Sequence, residues 1–373
     1  MKRPHIFRTI LLLGYAVVNL GLLGPAVAGA GPAVDPVTGL PPVLGPSPSP
    51  QLSALVASSA PWIKYDGNPV LDAGSPGSWD SYGVGLPSVL LKDGSYKMWY
   101  SATGPPDADY SIGLAESTDG VYWTRSPHNP VLTLGASGAW DSGYVIAPQV
   151  IYHDGIYKMW YRATPDSGSS FAANIGYATS NNGVDWVKYA GNPVLTVASP
   201  GAWDGENIWS VYIIVEGAAY KMWYSGGDGT NFRIGYATSP DGVTWTKYSG
   251  NPVMDVSPVG SWDSSFIYYP NIVFNGSAYE MWYSGSSAYD AFAIGHATSP
   301  DGLAWTRDSG NPVLSMGAPG SWESMVIIGP SVVVQGGTKR MWYMGRDASN
   351  IDRIGYATIS LDIEPVYLPL ILR

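Results

Sequence analysis

Cysteine is absent from the 373 residues, so disulfides contribute nothing and a fold of this size must be held by its buried core. Histidine is scarce: His5, His128, His153 and His296 fall at unrelated places, which leaves no zinc constellation and no Ser-His-Asp set. Charged residues make up only 13%, with a net charge of -10 that becomes -13 once Lys2, Arg3 and Arg8 are removed. That balance excludes a nucleic-acid or anionic-membrane partner, because both require a basic surface that exchanges for counterions. Long apolar runs are lacking beyond the N-terminus. There, basic residues precede a run from Ile10 to Leu23, broken by Gly14, Asn19 and Gly21, and small residues follow from Ala26 to Ala30. This order predicts a signal peptide over residues 1–30, cleaved after Ala28 or Ala30, and a secreted mature chain with no membrane span. Residues 31–60, with Leu40-Pro41-Pro42 and Ser47-Pro48-Ser49-Pro50, read as an extended linker.

Aromatic residues are plentiful at 13%, which suits an all-β protein that presents rings, and carbohydrate is one ligand that rings suit. An Asn-Pro-Val element recurs at Asn68, Asn129, Asn192, Asn251 and Asn311, spaced 61, 63, 59 and 60 residues apart. A Met-Trp-Tyr element beginning at Met98, Met159, Met222, Met281 and Met341 repeats the same four spacings. A period near sixty with no helical pattern points to the blades of a β-propeller. Each unit reads as four short strands joined by Asp-Gly or Asn-Gly hairpin turns. The last repeat stops after a third strand, at Ile354 to Ser360, whereas Trp62 to Tyr65 is a fourth strand with no blade before it. The expected fold is therefore an all-β, five-bladed propeller over residues 61–360, its ring closed by the N-terminal strand, followed by a tail over 361–373.

The turn before each fourth strand reads Ser-x-Asp-Gly-x-x-Trp at Ser117, Ser239 and Ser299, with Asn182 replacing Asp in the second unit. It resembles the Asp-box of sialidase-type propellers, one residue shorter, and is read as a structural turn. The acidic column Asp80, Asp141, Asp204, Asp263 and Glu323 follows a Trp in every unit and is read chiefly as architectural. Five carboxylates near one channel could also bind Ca²⁺, which takes about six to eight oxygen ligands. No local calcium-loop motif accompanies them, so no metal ligand is assigned.

Catalysis needs an acid and a base that differ, while near-copies supply equivalent groups, so departures from the repeat are the useful signal. Fifteen of the sixteen tryptophans fall in three repeated columns, and Trp209 alone stands outside. Glu206 precedes it by three residues, where the other units have Tyr82, Gly143, Ser265 and Met325. The same unit replaces the proline of Pro87, Pro148, Pro270 and Pro330 with Val211, so its inner strand should enter differently. Arg162 stands where the others have Ser101, Ser225, Ser284 and Met344. The substrate-binding candidates are thus Trp209, Asn207, Arg162, Tyr144, Tyr269 and Arg233, joined by loop residues that include Asp107, Asp109, Asp166 and Asp290.

The combined Trp-Asp-Ser, Pro-x-Val, Tyr-Lys-Met-Trp-Tyr and Ile-Gly-Tyr-Ala-Thr-Ser pattern is similar to the five-bladed glycosidases of the arabinanase, levansucrase and invertase type, including glycoside hydrolase family 43 and the related family 32. The resemblance covers Trp62 to about Ser360. It implies a carbohydrate-active protein using an Asp just before the Pro of the first inner strand and a Glu acid on a later blade. Leu86, Ala147, Ser210, Tyr269 and Gly329 occupy the position before that proline column, so the expected Asp is missing from every unit. Glu206 could match the acid, and a base would come from Asp80, Asp141 or a loop Asp. The expected function is a secreted glycoside-hydrolase-like protein acting on or binding a poly- or oligosaccharide. The alternative is a noncatalytic glycan-binding or surface-interaction propeller. The oligomeric state is left open.

Overall fold

The computed structural model describes residues 61–105, 110–165, 173–288 and 291–361, all strand, turn or loop, with no helix among them. The expected signal peptide, linker and tail, and the loop residues Asp107, Asp109, Asp166 and Asp290, lie outside the described residues. A short β1 (Ile63–Lys64) precedes β2 (Gly83–Lys92), β3 (Ser95–Thr103), β4 (Ser111–Ser117) and β5 (Thr124–Arg125). The second unit is β6 (Tyr144–His153), β7 (Ile156–Thr164), β8 (Asn174–Ser180) and β9 (Val187–Lys188). The third is β10 (Asn207–Glu216), β11 (Ala219–Gly227), β12 (Phe232–Ser239) and β13 (Thr246–Lys247). The fourth is β14 (Phe266–Phe274), β15 (Tyr279–Ser286), β16 (Ala293–Ser299) and β17 (Thr306–Arg307). The fifth has only β18 (Val326–Gln335), β19 (Thr338–Arg346) and β20 (Asp352–Ser360).

Within a unit, consecutive strands pair antiparallel, as hairpin turns dictate. The orphan β1 pairs antiparallel with β20, Ile63 opposite Thr358, and so supplies the fifth unit's missing fourth strand. Inner strands of successive units pack side by side: β2 lies between β18 and β6, and β14 lies between β10 and β18. Each inner strand sends the same three positions into one shared cavity, such as Leu86-Pro87-Ser88 of β2 and Tyr269-Pro270-Asn271 of β14.

The core lies between units. Trp99, Trp160, Trp223, Trp282 and Trp342 are all but sealed from solvent, and each packs against hydrophobic residues of the following unit. Four of these indoles donate Nε1–H to the carbonyl of the glycine in the next unit's Asp-box turn: Trp99 to Gly183, Trp160 to Gly242, Trp223 to Gly302 and Trp342 to Gly120, at 2.8–2.9 Å. The last of these joins the fifth unit to the first. Glycine is required at this turn. Its φ is +77° to +82°, and a Cβ would stand 2.7–3.0 Å from the incoming indole. The turn's acid is structural: Asp119 Oδ1 accepts from the N–H groups of Val121 and Tyr122, and Asn182 Oδ1 does the same for Val184 and Asp185.

Candidate functional site

In four units the inner strand carries a bulge over the residue before proline and the proline itself, as between Gly85 and Ser88 or between Tyr268 and Asn271. A proline has no N–H to place in a ladder, so the strand bulges where proline stands. The residue before it turns left-handed, with φ of +50° to +65° at Leu86, Ala147, Tyr269 and Gly329. Where a serine is available on the preceding unit, it accepts that residue's N–H: Ala147 donates to Ser101 Oγ and Gly329 to Ser284 Oγ.

The third unit departs from this plan at both partners. Arg162 replaces the serine and can only donate, and Val211 replaces the proline and can pair. Val211 accordingly stands opposite Tyr224 in the ladder, and the extra residue moves upstream to lie between Ile208 and Ser210. That residue is Trp209. The loss of proline thus extrudes the one tryptophan that belongs to no column.

Trp209 is half-buried and sits among groups from three units. Its Nε1–H donates to Tyr269 Oη at 2.9 Å, Phe232 meets it edge-on at 5.2 Å, and the Arg162 guanidinium lies over its ring at 3.6 Å. Arg162 also lies over the Tyr144 ring at 5.0 Å. Burial pushes the Tyr269 and Tyr144 phenols up, against the opposing field of Arg162, so both remain neutral hydrogen-bonding groups near neutral pH. Asn207 opens β10, is 9% exposed, and its Oδ1 is buried without a hydrogen-bond partner among the described residues. Glu206 immediately precedes it on the exposed rim. Its backbone N–H binds Gly227, while its carboxylate makes no hydrogen bond or ion pair among the described residues.

The structure brings Trp209, Arg162, Tyr144 and Tyr269 together, with Asn207 and Glu206 at the strand entrance. It does not bring Asp80, Asp141 or Arg233 to them. Asp80 is 2% exposed, accepts from Ser78 and pairs with Arg125 at 2.7 Å; Asp141 is 3% exposed and pairs with Lys188 at 2.6 Å. The same bond recurs between Asp204 and Lys247, Asp263 and Arg307, and Glu323 and Lys64, always tying the entry of an inner strand to a fourth strand. Asp80 and Asp141, expected as partner carboxylates for Glu206, therefore have an architectural task, and each acid of the column is balanced by its own cation rather than gathered around a shared one. Arg233 is likewise occupied, by Asp228 at 2.6 Å and Asp255 at 2.8 Å, and strand alternation turns it away from the face that Phe232 presents to Trp209.

One acid escaped the sequence reading. Asp352 opens β20 and binds Arg346 through two hydrogen bonds, one of them Nη2 to Oδ2 at 2.8 Å. Its charge helps to raise the Tyr110 and Tyr269 phenols, after burial in both cases. The signal was another broken column: the equivalent positions are Tyr110, Ala173, Phe232 and Phe292, and Arg346 stands where the others have Thr103, Thr164, Gly227 and Ser286.

The architecture is that of propeller glycosidases. A solved structure from work on the GH130 family of mannoside phosphorylases, which reports glycoside hydrolases targeting β-1,2 mannosidic linkages in Candida mannan, matches with a TM-score of 0.65 at 20% identity, over 82% of this chain and 96% of that one. The family model for the glycosyl hydrolases family 32 N-terminal domain matches residues 147–346, more than half of the 373. The chain belongs to that family. Among curated relatives, protein Rv1502 of Mycobacterium tuberculosis strain H37Rv is 32% identical over 224 residues, covering 58% of this chain and 72% of its own. A 1,2-beta-oligomannan phosphorylase of Thermoanaerobacter sp. strain X514 is 26% identical over 258 residues, covering 64% and 76%.

Proposed function

We propose that the chain is a secreted, carbohydrate-active propeller that binds an oligo- or polysaccharide at the Trp209 cluster and cleaves it in the manner of a glycoside hydrolase. The five units are the blades of a closed ring, a reading supported by the β1 to β20 pairing and the Trp342 to Gly120 hydrogen bond. Secretion rests on the N-terminal order of basic, apolar and small residues.

The observation that carries the functional reading is the extrusion of Trp209 by a bulge found in one unit alone. A partly exposed indole can cover the apolar face of a sugar ring, and the neutral phenols and Asn207 around it can bind hydroxyl groups. Glu206 is the proton donor in this reading, being an exposed acid at the entrance of β10 with no partner among the described residues to hold its carboxylate. A second carboxylate is then required at about 5–5.5 Å for a retaining reaction or about 6.5–9.5 Å for an inverting one. Asp352 is one candidate, with both of its oxygens held by Arg346 as Asp80 and Asp141 are held by Arg125 and Lys188.

The test is a panel of plant and microbial polysaccharides, β-1,2-linked mannans included, assayed with and without inorganic phosphate for retained binding and released sugar. Trp209→Ala should weaken binding, and Glu206→Gln should stop release while leaving binding nearly intact. Unchanged binding by Trp209→Ala in a folded protein would move the site elsewhere. A noncatalytic glycan-binding protein is the second reading, favoured by the missing Asp before every inner-strand proline position and by the ion pairs that occupy Asp80 and Asp141.

A further inference from the structure

Arg162 is 3% exposed and makes no ion pair and no hydrogen bond with any described residue; its Nε is buried and unsatisfied. Every other arginine among the described residues meets a carboxylate, except Arg340, which reaches the Asp119 carbonyl and the Tyr356 hydroxyl. An ionised group so deep in the fold is costly unless something balances it, and the rings of Trp209 and Tyr144 balance only part of its charge. Nor does Arg162 serve the ring. In three of the other four units its position belongs to a serine that accepts the next unit's N–H, a task an arginine cannot perform, and the third unit has given up its proline bulge in keeping with this.

Resting on the reading of this cluster as a glycan cleft, we propose that Arg162 receives the carboxylate of an acidic sugar, so that the ligand is a glycan bearing uronic acid. A guanidinium offers a planar fork that matches a carboxylate through two parallel N–H donors. The charges favour a carboxylate over phosphate. One unpaired cation neutralises one carboxylate, whereas phosphate carries nearly two negative charges near neutral pH. Arg346, by contrast, is already held by both oxygens of Asp352. Burial keeps the surrounding phenols of Tyr144 and Tyr269 protonated, so they add hydrogen bonds and no competing anion.

The experiment measures binding by calorimetry to oligogalacturonate, oligoglucuronate and oligomannuronate, each against its carboxyl-reduced neutral form, with inorganic phosphate as a separate titrant. The wild-type protein should bind at least one acidic form more tightly than its reduced counterpart by about ten- to a hundredfold, the range of a hydrogen bond to a charged group. Arg162→Gln should erase that preference, so that the variant binds acidic and reduced forms alike. Arg162→Lys keeps the charge without the fork, should retain an intermediate preference, and serves as the test if the glutamine variant does not fold. Equal binding of acidic and reduced forms would overturn the carboxylate assignment and leave the glycan cleft standing. Tighter binding of phosphate than of any uronide would also overturn it. Binding of neither sugar form would remove the cleft and this assignment together.

Discussion

Removing one carboxylate from the buried acidic column tests whether those five acids are architecture. Asp263 is the cleanest case, being 1% exposed, with Oδ2 accepting from Arg307 Nε at 2.9 Å and from Tyr283 Oη–H at 3.0 Å. Asp263→Ala strands the buried Tyr283 hydroxyl, which costs about 1–3 kcal/mol. Arg307 adds little, because its side chain is 28% exposed and can turn to water, where ion pairs are weak. A total of about 1–3 kcal/mol lowers the melting temperature by roughly 2–6 °C, at about 2 °C per kcal/mol for a domain of this size. Asp263→Asn still accepts from Tyr283 and should cost about 1 kcal/mol. Arg307→Ala should cost the most, about 3–5 kcal/mol, because it leaves a sealed carboxylate without its cation. Thermal denaturation of the three variants, followed by circular dichroism, checks the order. The reasoning fails if Asp263→Ala melts with the wild-type protein, or if it loses glycan binding while keeping its stability.

Deleting residues 61–71 should destabilise the whole molecule, because β20 loses its partner and Trp282 loses the Trp62 edge contact; a sharp unfolding transition unchanged from wild type would contradict this. The Asp-box acids should contribute stability that acid removes. Slight burial works against it, but the N–H groups of Thr244 and Val243 hold Asp241 at about 2, below its ordinary 3.8. Its folded value is depressed, so the contribution is complete above pH 4 and is lost as pH falls toward 2. Replacing Asp119, Asp241 and Asp301 together by Asn, the residue already present at 182, should flatten the loss of melting temperature between pH 4 and 2; an unchanged acid limb would count against the turn's role.

The repeat was legible because its columns carry single tasks. A Trp that donates to the neighbouring unit's turn, a Gly that must let it approach and an Asn-Pro-Val element recur at one spacing, and the orphan strand at Ile63 finds Thr358 as the broken count required. The broken columns at Trp209, Arg162 and Val211 were visible for the same reason. What remained hidden was how the breaks act together. Sequence shows that Val211 replaces a proline, but only the ladder shows the bulge moving to Trp209. The acidic column pointed two ways, toward architecture and toward a base, until the cations of the fourth strands were seen to meet each acid. Arg233 looked available because its two carboxylate partners are 5 and 22 residues away. Asp352 is hidden because it ends the loop between the second and third strands, beside polar residues such as Asp347 and Arg353, although an acid among Tyr110, Ala173, Phe232 and Phe292 is itself a departure.

The most direct test is a crystal structure of Glu206→Gln bound to an oligosaccharide that the binding panel has identified. A sugar ring should lie against Trp209, with a glycosidic oxygen within hydrogen-bond reach of residue 206 and ligand oxygens on Tyr269 or Asn207. An oligosaccharide bound at another face, with Trp209 still covered only by Arg162 and Phe232, would contradict the assignment of the site.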